Sequence, residues 1–131
     1  MAAVRVLLDT HALLWWLFDD PKLSRKARRA IADPDTEALV SSASAWEIAT
    51  KHRLGKLPEA GDVVTKLPAY LRAGRFNELP ISVAHALQAG RLPGPHRDPF
   101  DRMLISQAAA ESLPVVTNDP IFRDYGTQVL W

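Results

Sequence analysis

Val4-Arg5-Val6-Leu7-Leu8-Asp9-Thr10 sets how the rest of the chain is read. A short apolar run with two valines, stopping at an acid, reads as a buried strand with a carboxylate at its carboxyl end. Residues 11–18 are apolar nearly all round, so they form a helix that is buried or lies in an interface, and Thr10 can cap it. Asp19-Asp20-Pro21 breaks that helix.

Moving outward, Ser24 caps a basic helix to residue 32, and Asp33-Pro34-Asp35 is a turn. Residues 38–41 are a brief strand, and Ser42 or Ser44 caps a helix that ends near Gly55. Residues 62–73 form an amphipathic helix, 76–81 contain a strand, and Ser82 caps a helix over 83–89. After a loop over 94–97, Pro99 suits the first position of a helix running to 112. Residues 115–117 and 128–130 complete the strands. Strands that alternate with helices predict an α/β fold, a parallel sheet covered by helices on both faces.

The 131 residues suit one domain over 1–131. With 47% hydrophobic and 24% charged residues, the chain has the composition of an ordinary globular protein, and disorder is excluded. Absence of cysteine rules out disulfides, thiolate zinc sites and cysteine nucleophiles, and suits a reducing cytoplasm. The N-terminus lacks a signal-peptide layout, and residues 12–18 are too few to span a bilayer. Net charge is +1, so the whole molecule does not attract polyanions, but basic residues gather locally. One group runs from Lys22 through Arg25, Lys26 and Arg28 to Arg29, and another holds Lys51, His52, Arg53 and Lys56. These groups read as solvated helix faces or as phosphate contacts.

Parallel sheets bind ligands beyond the carboxyl ends of their strands. Asp9 follows the first strand, Thr117, Asn118 and Asp119 follow the fourth, Glu47 lies early in a helix, and Asp98 and Asp101 open another. Each acid alone also has a structural reading. Asp98 precedes Pro99 and is the natural N-cap, whereas Asp101 is the better metal candidate. Bringing such anions together is costly, since two like charges 4 Å apart repel by about 4 kcal/mol at an effective dielectric near 20. A divalent cation removes that cost, and oxygen-only donors favour Mg²⁺ or Mn²⁺ over zinc.

Four segments resemble the motifs of PIN domains of the VapC-toxin type. Leu8-Asp9-Thr10-His11-Ala12-Leu13-Leu14-Trp15 resembles the first, and Ser42-Ala43-Ser44-Ala45-Trp46-Glu47-Ile48-Ala49 the second. The third is Asp98-Pro99-Phe100-Asp101-Arg102-Met103-Leu104-Ile105-Ser106-Gln107-Ala108, and the fourth is Val115-Val116-Thr117-Asn118-Asp119. The resemblance implies a PIN-like, Rossmann-like sheet of four to five short strands and a ribonuclease that leaves 5′-phosphate and 3′-hydroxyl ends. It places one or two Mg²⁺ or Mn²⁺ ions on Asp9, Glu47, Asp101 and Asp119, with Thr117 and Asn118 supporting them and Asp98 as an extra acid or cap. It also implies a VapB-type antitoxin partner and a homodimer, for which Trp15, Trp16, Leu17 and Phe18 offer a seam if they are not core. Arg25, Lys51, Arg53, Lys56, Arg97 and Arg102 are candidates for RNA phosphates.

Rival readings fit less well. A phosphoacceptor receiver would carry paired acids after its first strand and a lysine after its fifth, and neither is present. A haloacid-dehalogenase-type phosphatase would need two acids separated by one residue, whereas the chain has Asp9-Thr10-His11. No P-loop or Gly-rich dinucleotide motif occurs. The serious alternative is a PIN fold that binds RNA or a partner with little or no catalysis.

Overall fold

The structure, a computed structural model, describes residues 4–131. A five-stranded, all-parallel sheet has the order β3-β2-β1-β4-β5, built from β1 Val4–Leu8, β2 Thr36–Ser41, β3 Asn77–Leu79, β4 Val115–Val116 and β5 Val129–Leu130. The helices are α1 Thr10–Leu17, α2 Arg25–Ala32, α3 Ser42–Arg53, α4 Gly61–Ala73, α5 Val83–Arg91, α6 Pro99–Glu111 and α7 Pro120–Asp124. The expected parallel sheet between two apolar layers is present.

Side-chain alternation along the strands makes those layers. Val6 and Leu8, with Val40 and Val116, face a core shared with α1, α2 and α4. Leu7, Leu39 and Val115 face the other way, onto Leu104, Ile105 and Ala108 of α6 and Phe122 of α7. Both faces of the central strands are therefore dry, which is why these strands read as continuous apolar runs.

Cap chemistry differs from expectation at two helices. Asp9, not Thr10, caps α1 and accepts from the Ala12 amide at 2.6 Å. Ser41, not Ser42 or Ser44, caps α3 and accepts from the Ala43 amide. In each case the strand runs into the helix with no spare residue, so the last extended residue is the one whose side chain reaches the free amides. Thr10 and Ser44 instead hydrogen-bond to each other at 3.0 Å, tying α1 to α3. Trp15, Trp16 and Leu17 pack half-buried against the core, whereas Phe18 is 41% exposed, so the core reading holds for the first three and not for Phe18.

Strand order sets the location of the site. β1 to β2 to β3 builds the sheet in one direction, and β4 then returns to the other side of β1. The order reverses between β1 and β4, and ligand crevices of open parallel sheets form at such a reversal.

Candidate active site

Asp9 and Thr117 stand at the reversal. The pairing of Leu8 with Val116 continues as a hydrogen bond from the Asp9 amide to the Val116 carbonyl, 3.1 Å. The next rung brings the Thr117 hydroxyl onto Asp9 Oδ2, to which it donates. Asp9 is 5% exposed, and burial is the main reason its carboxyl is raised from 3.8 to about 6. Hydrogen bonds from Thr117 and Ala12 and the nearby charge of His11 oppose that rise, while the charge of Asp101 adds to it.

Helix starts deliver the other acids. Asp98 caps α6, accepting from the amides of Phe100 and Asp101 at 2.9 and 3.0 Å, which is the structural role expected of it. Asp101, in the first turn of α6, is raised by burial; the His96 hydrogen bond lowers it, and the charges of Asp98, Glu47 and Asp119 raise it further. Glu47 is 4% exposed on α3. Asp119 caps α7 through the Ile121 amide, and its own amide donates to Thr117 Oγ1. The candidate acids thus share one rim, close enough for their charges to act on one another.

The chain partly neutralises this rim itself. Lys51 Nζ lies 2.5 Å from Glu47 Oε2, and His96 Nε2 lies 2.9 Å from Asp101 Oδ2. Burial lowers the Lys51 ammonium, but its hydrogen bond and charge contact with Glu47, with Asp98 and Asp101 behind, raise it overall. No three His, Cys, Asp or Glu side chains form a ready-made ion cradle among the described residues. The donor chemistry nevertheless fits a hard cation. The groups are carboxylate and hydroxyl oxygens, and their repulsion is what a divalent ion offsets.

Two of the proposed phosphate contacts need correction. Lys51 is engaged by Glu47. Arg102 is spent on the main chain, donating to the carbonyls of Ala89 at 3.1 Å, His96 at 3.0 Å and Leu92. It clasps the loop that carries His96 and Arg97. Gly94 in that loop has φ +94°, and a Cβ there would meet the Tyr125 hydroxyl at 2.6 Å, so the close approach requires glycine. Arg25, Arg53, Lys56 and Arg97 are exposed and form no ion pair among the described residues. Asn118 is also exposed, with no side-chain hydrogen bond to the acids. Sequence reading missed His96 and the Lys51–Glu47 pair. The pair was legible as an i,i+4 contact, whereas a loop histidine gives no spacing signal.

Fold and rim together define an α/β protein with an acidic crevice at its strand reversal. The chain belongs to the PIN domain family, which matches residues 6–128. It is 40% identical over 75 residues to Ribonuclease VapC16 of Mycobacterium tuberculosis, an alignment covering 54% of this chain and 52% of that protein. It is 30% identical over 122 residues to Ribonuclease VapC22 of the same organism, covering 92% and 91% of the two chains. A chain in the crystal structure of VapBC2 from Rickettsia felis bound to a DNA fragment from their promoter superposes with a TM-score of 0.70, at 20% identity and 96% and 97% coverage. FitAcB from Neisseria gonorrhoeae gives 0.62, at 19% identity and 95% coverage of both chains. These two likenesses are of fold.

Proposed function

We propose that this chain, as a single PIN domain over 1–131, is a metal-dependent endoribonuclease and the toxin of a VapBC-type pair. RNA is its substrate, a VapB-type antitoxin its partner, a homodimer its assembly and the cytoplasm its place of action. Relatives named as VapC ribonucleases support the activity, and a VapBC complex of the same fold supports the partner. No helix among the described residues is long and apolar enough to cross a membrane.

The carrying observation is Asp9, buried at the reversal with Thr117 on one oxygen and the Ala12 amide on the other and under the charge of Asp101, which in turn feels Glu47 and Asp119. Asp9, Asp101, Asp119 and Glu47 would hold one or two Mg²⁺ or Mn²⁺ ions. When bound, such an ion lowers the pKa of a water and offsets negative charge gathering on the attacked phosphate. Thr117 fixes the orientation of the Asp9 carboxylate. Glu47, whose carboxylate is contacted by Lys51 Nζ, would help hold the ion or assist deprotonation of the attacking water. Cleavage leaves 5′-phosphate and 3′-hydroxyl ends.

The test is cleavage of cellular RNA and of tRNA by purified protein, with the new ends mapped. Asp9→Asn is expected to lower the rate by at least about a hundredfold, the scale of losing one charge-stabilising group, while the fold survives. EDTA stops the reaction, and Mn²⁺ or Mg²⁺ restores it. Full activity of the variant would overturn the assignment, and tight RNA binding without cleavage by the parent chain would favour a pure binding module.

A further inference from the structure

Beyond Asp119 the rim continues into a cavity of about 260 Å³, with Thr117, Asn118, Asp119, Arg123 and Trp131 in its lining. Trp131 follows β5 directly, as Asp9 follows β1 and Thr117 follows β4. The three positions therefore stand side by side at the same end of a parallel sheet. The Trp131 ring is set by packing edge-on against Trp15, centroids 5.7 Å apart, and Trp15 in turn contacts His11 at 5.7 Å. Beside the acids, Lys51 is engaged by Glu47, Arg102 by carbonyls, and His96 Nε2 is hydrogen-bonded to Asp101. In the cavity the reverse holds. Exposed Arg123 forms no ion pair, and the Asn118 amide and Trp131 indole form no hydrogen bond, among the described residues.

A half-buried aromatic ring held in place by its neighbours, an amide able to donate and accept, and a guanidinium are groups that recognise an unpaired base and its phosphate. We propose that this cavity holds one unpaired nucleobase of the RNA, next to the phosphate lying over Asp9 and Asp119. Trp131 packs against the base, Asn118 reads its edge, and Arg123 meets the adjoining phosphate. The inference rests on the ribonuclease reading and adds to it a cavity that contacts a base, which a base held in a duplex cannot enter.

The test measures binding in EDTA, in the Asp9→Asn background, so that cleavage plays no part. The probes are fluorescein-labelled oligoadenylate, oligocytidylate and oligouridylate, a duplex RNA, and inorganic polyphosphate as a base-free polyanion. Trp131→Leu is expected to weaken binding of at least one single strand by about tenfold and to leave duplex and polyphosphate unchanged, while Trp131→Phe keeps most of the affinity. Arg123→Ala weakens single strands and polyphosphate alike, and more so at low salt. If Trp131→Leu unfolds, Asn118→Ala at its exposed position reads the same cavity, with a smaller loss confined to single strands. Equal losses for RNA and polyphosphate in the Trp131 or Asn118 variants, or no loss at all, would overturn the base site. So would a change in sedimentation with RNA affinity intact, which would mark a protein-contact surface. Failure of the parent chain to cut RNA, with base-dependent binding intact, would overturn the nuclease reading and spare the cavity.

Discussion

Two buried polar clusters lie on this sheet, and they are built on opposite plans. Between β2, α5 and α6, donors and acceptors match. The Ser41 hydroxyl donates to Gln107 Oε1 at 2.5 Å, Gln107 Nε2 donates to the Pro80 carbonyl at 3.3 Å, and the Ser106 hydroxyl donates to the His85 carbonyl at 2.7 Å. His85 Nδ1 accepts the Ser82 amide at 3.1 Å, so Nε2 carries the proton and donates to Glu111 at 3.0 Å. At the Asp9 rim, carboxylates instead act on one another, and the Lys51 ammonium, the His96 hydrogen bond to Asp101 and the charge of His11 offset them in part. The first cluster holds helices to strands with its buried donors and acceptors paired. The second keeps a negative field at the sheet reversal that is only partly offset, which costs stability and attracts cations.

The largest expected effect follows from Asp9. Its carboxyl is raised from 3.8 to about 6, so the fold favours the neutral form. That stabilisation is complete below 3.8 and is lost as pH rises through about 6. A displacement of this size is worth about 3 kcal/mol. In urea unfolding with EDTA present, Asp9→Asn should therefore be more stable than the parent by up to about 3 kcal/mol at pH 7.5, with the gain vanishing toward pH 3.5. Added Mn²⁺ should stabilise the parent at pH 7.5 and leave the variant unmoved. Equal gains at both pH values would erase the contrast between the clusters.

Next in size is Gln107→Ala. It strands the Ser41 hydroxyl and the Pro80 carbonyl, and should cost about 1–3 kcal/mol in the same unfolding experiment, at either pH. Cleavage per folded molecule should not change. A loss of cleavage without a loss of stability would show that the two clusters are one functional unit.

The smallest is Thr117→Val, which removes the donor to Asp9 Oδ2 and leaves the backbone in place. Cleavage of labelled RNA in Mg²⁺ should fall by about tenfold, the lower end for residues that orient a metal ligand. Unchanged cleavage would mean that Asp9 is held by burial and the Ala12 amide alone.

Much of this was readable from residue order. The apolar run Val6-Leu7-Leu8 marked a buried strand, the Asp98-Pro99 step located the start of α6, and the four acids stood in motif order. Those features rest on neighbours within a turn or a strand, where backbone geometry alone relates one residue to the next. Strand order is another matter. That β4 pairs with β1, joining Thr117 to Asp9 across 108 positions, depends on which apolar surfaces bury each other best. The same packing turned Arg102 onto carbonyls and set Trp131 beside Asp119. Which side chains are engaged and which remain open to a ligand is decided only when distant elements meet, because a charge finds its partner in space and not along the chain.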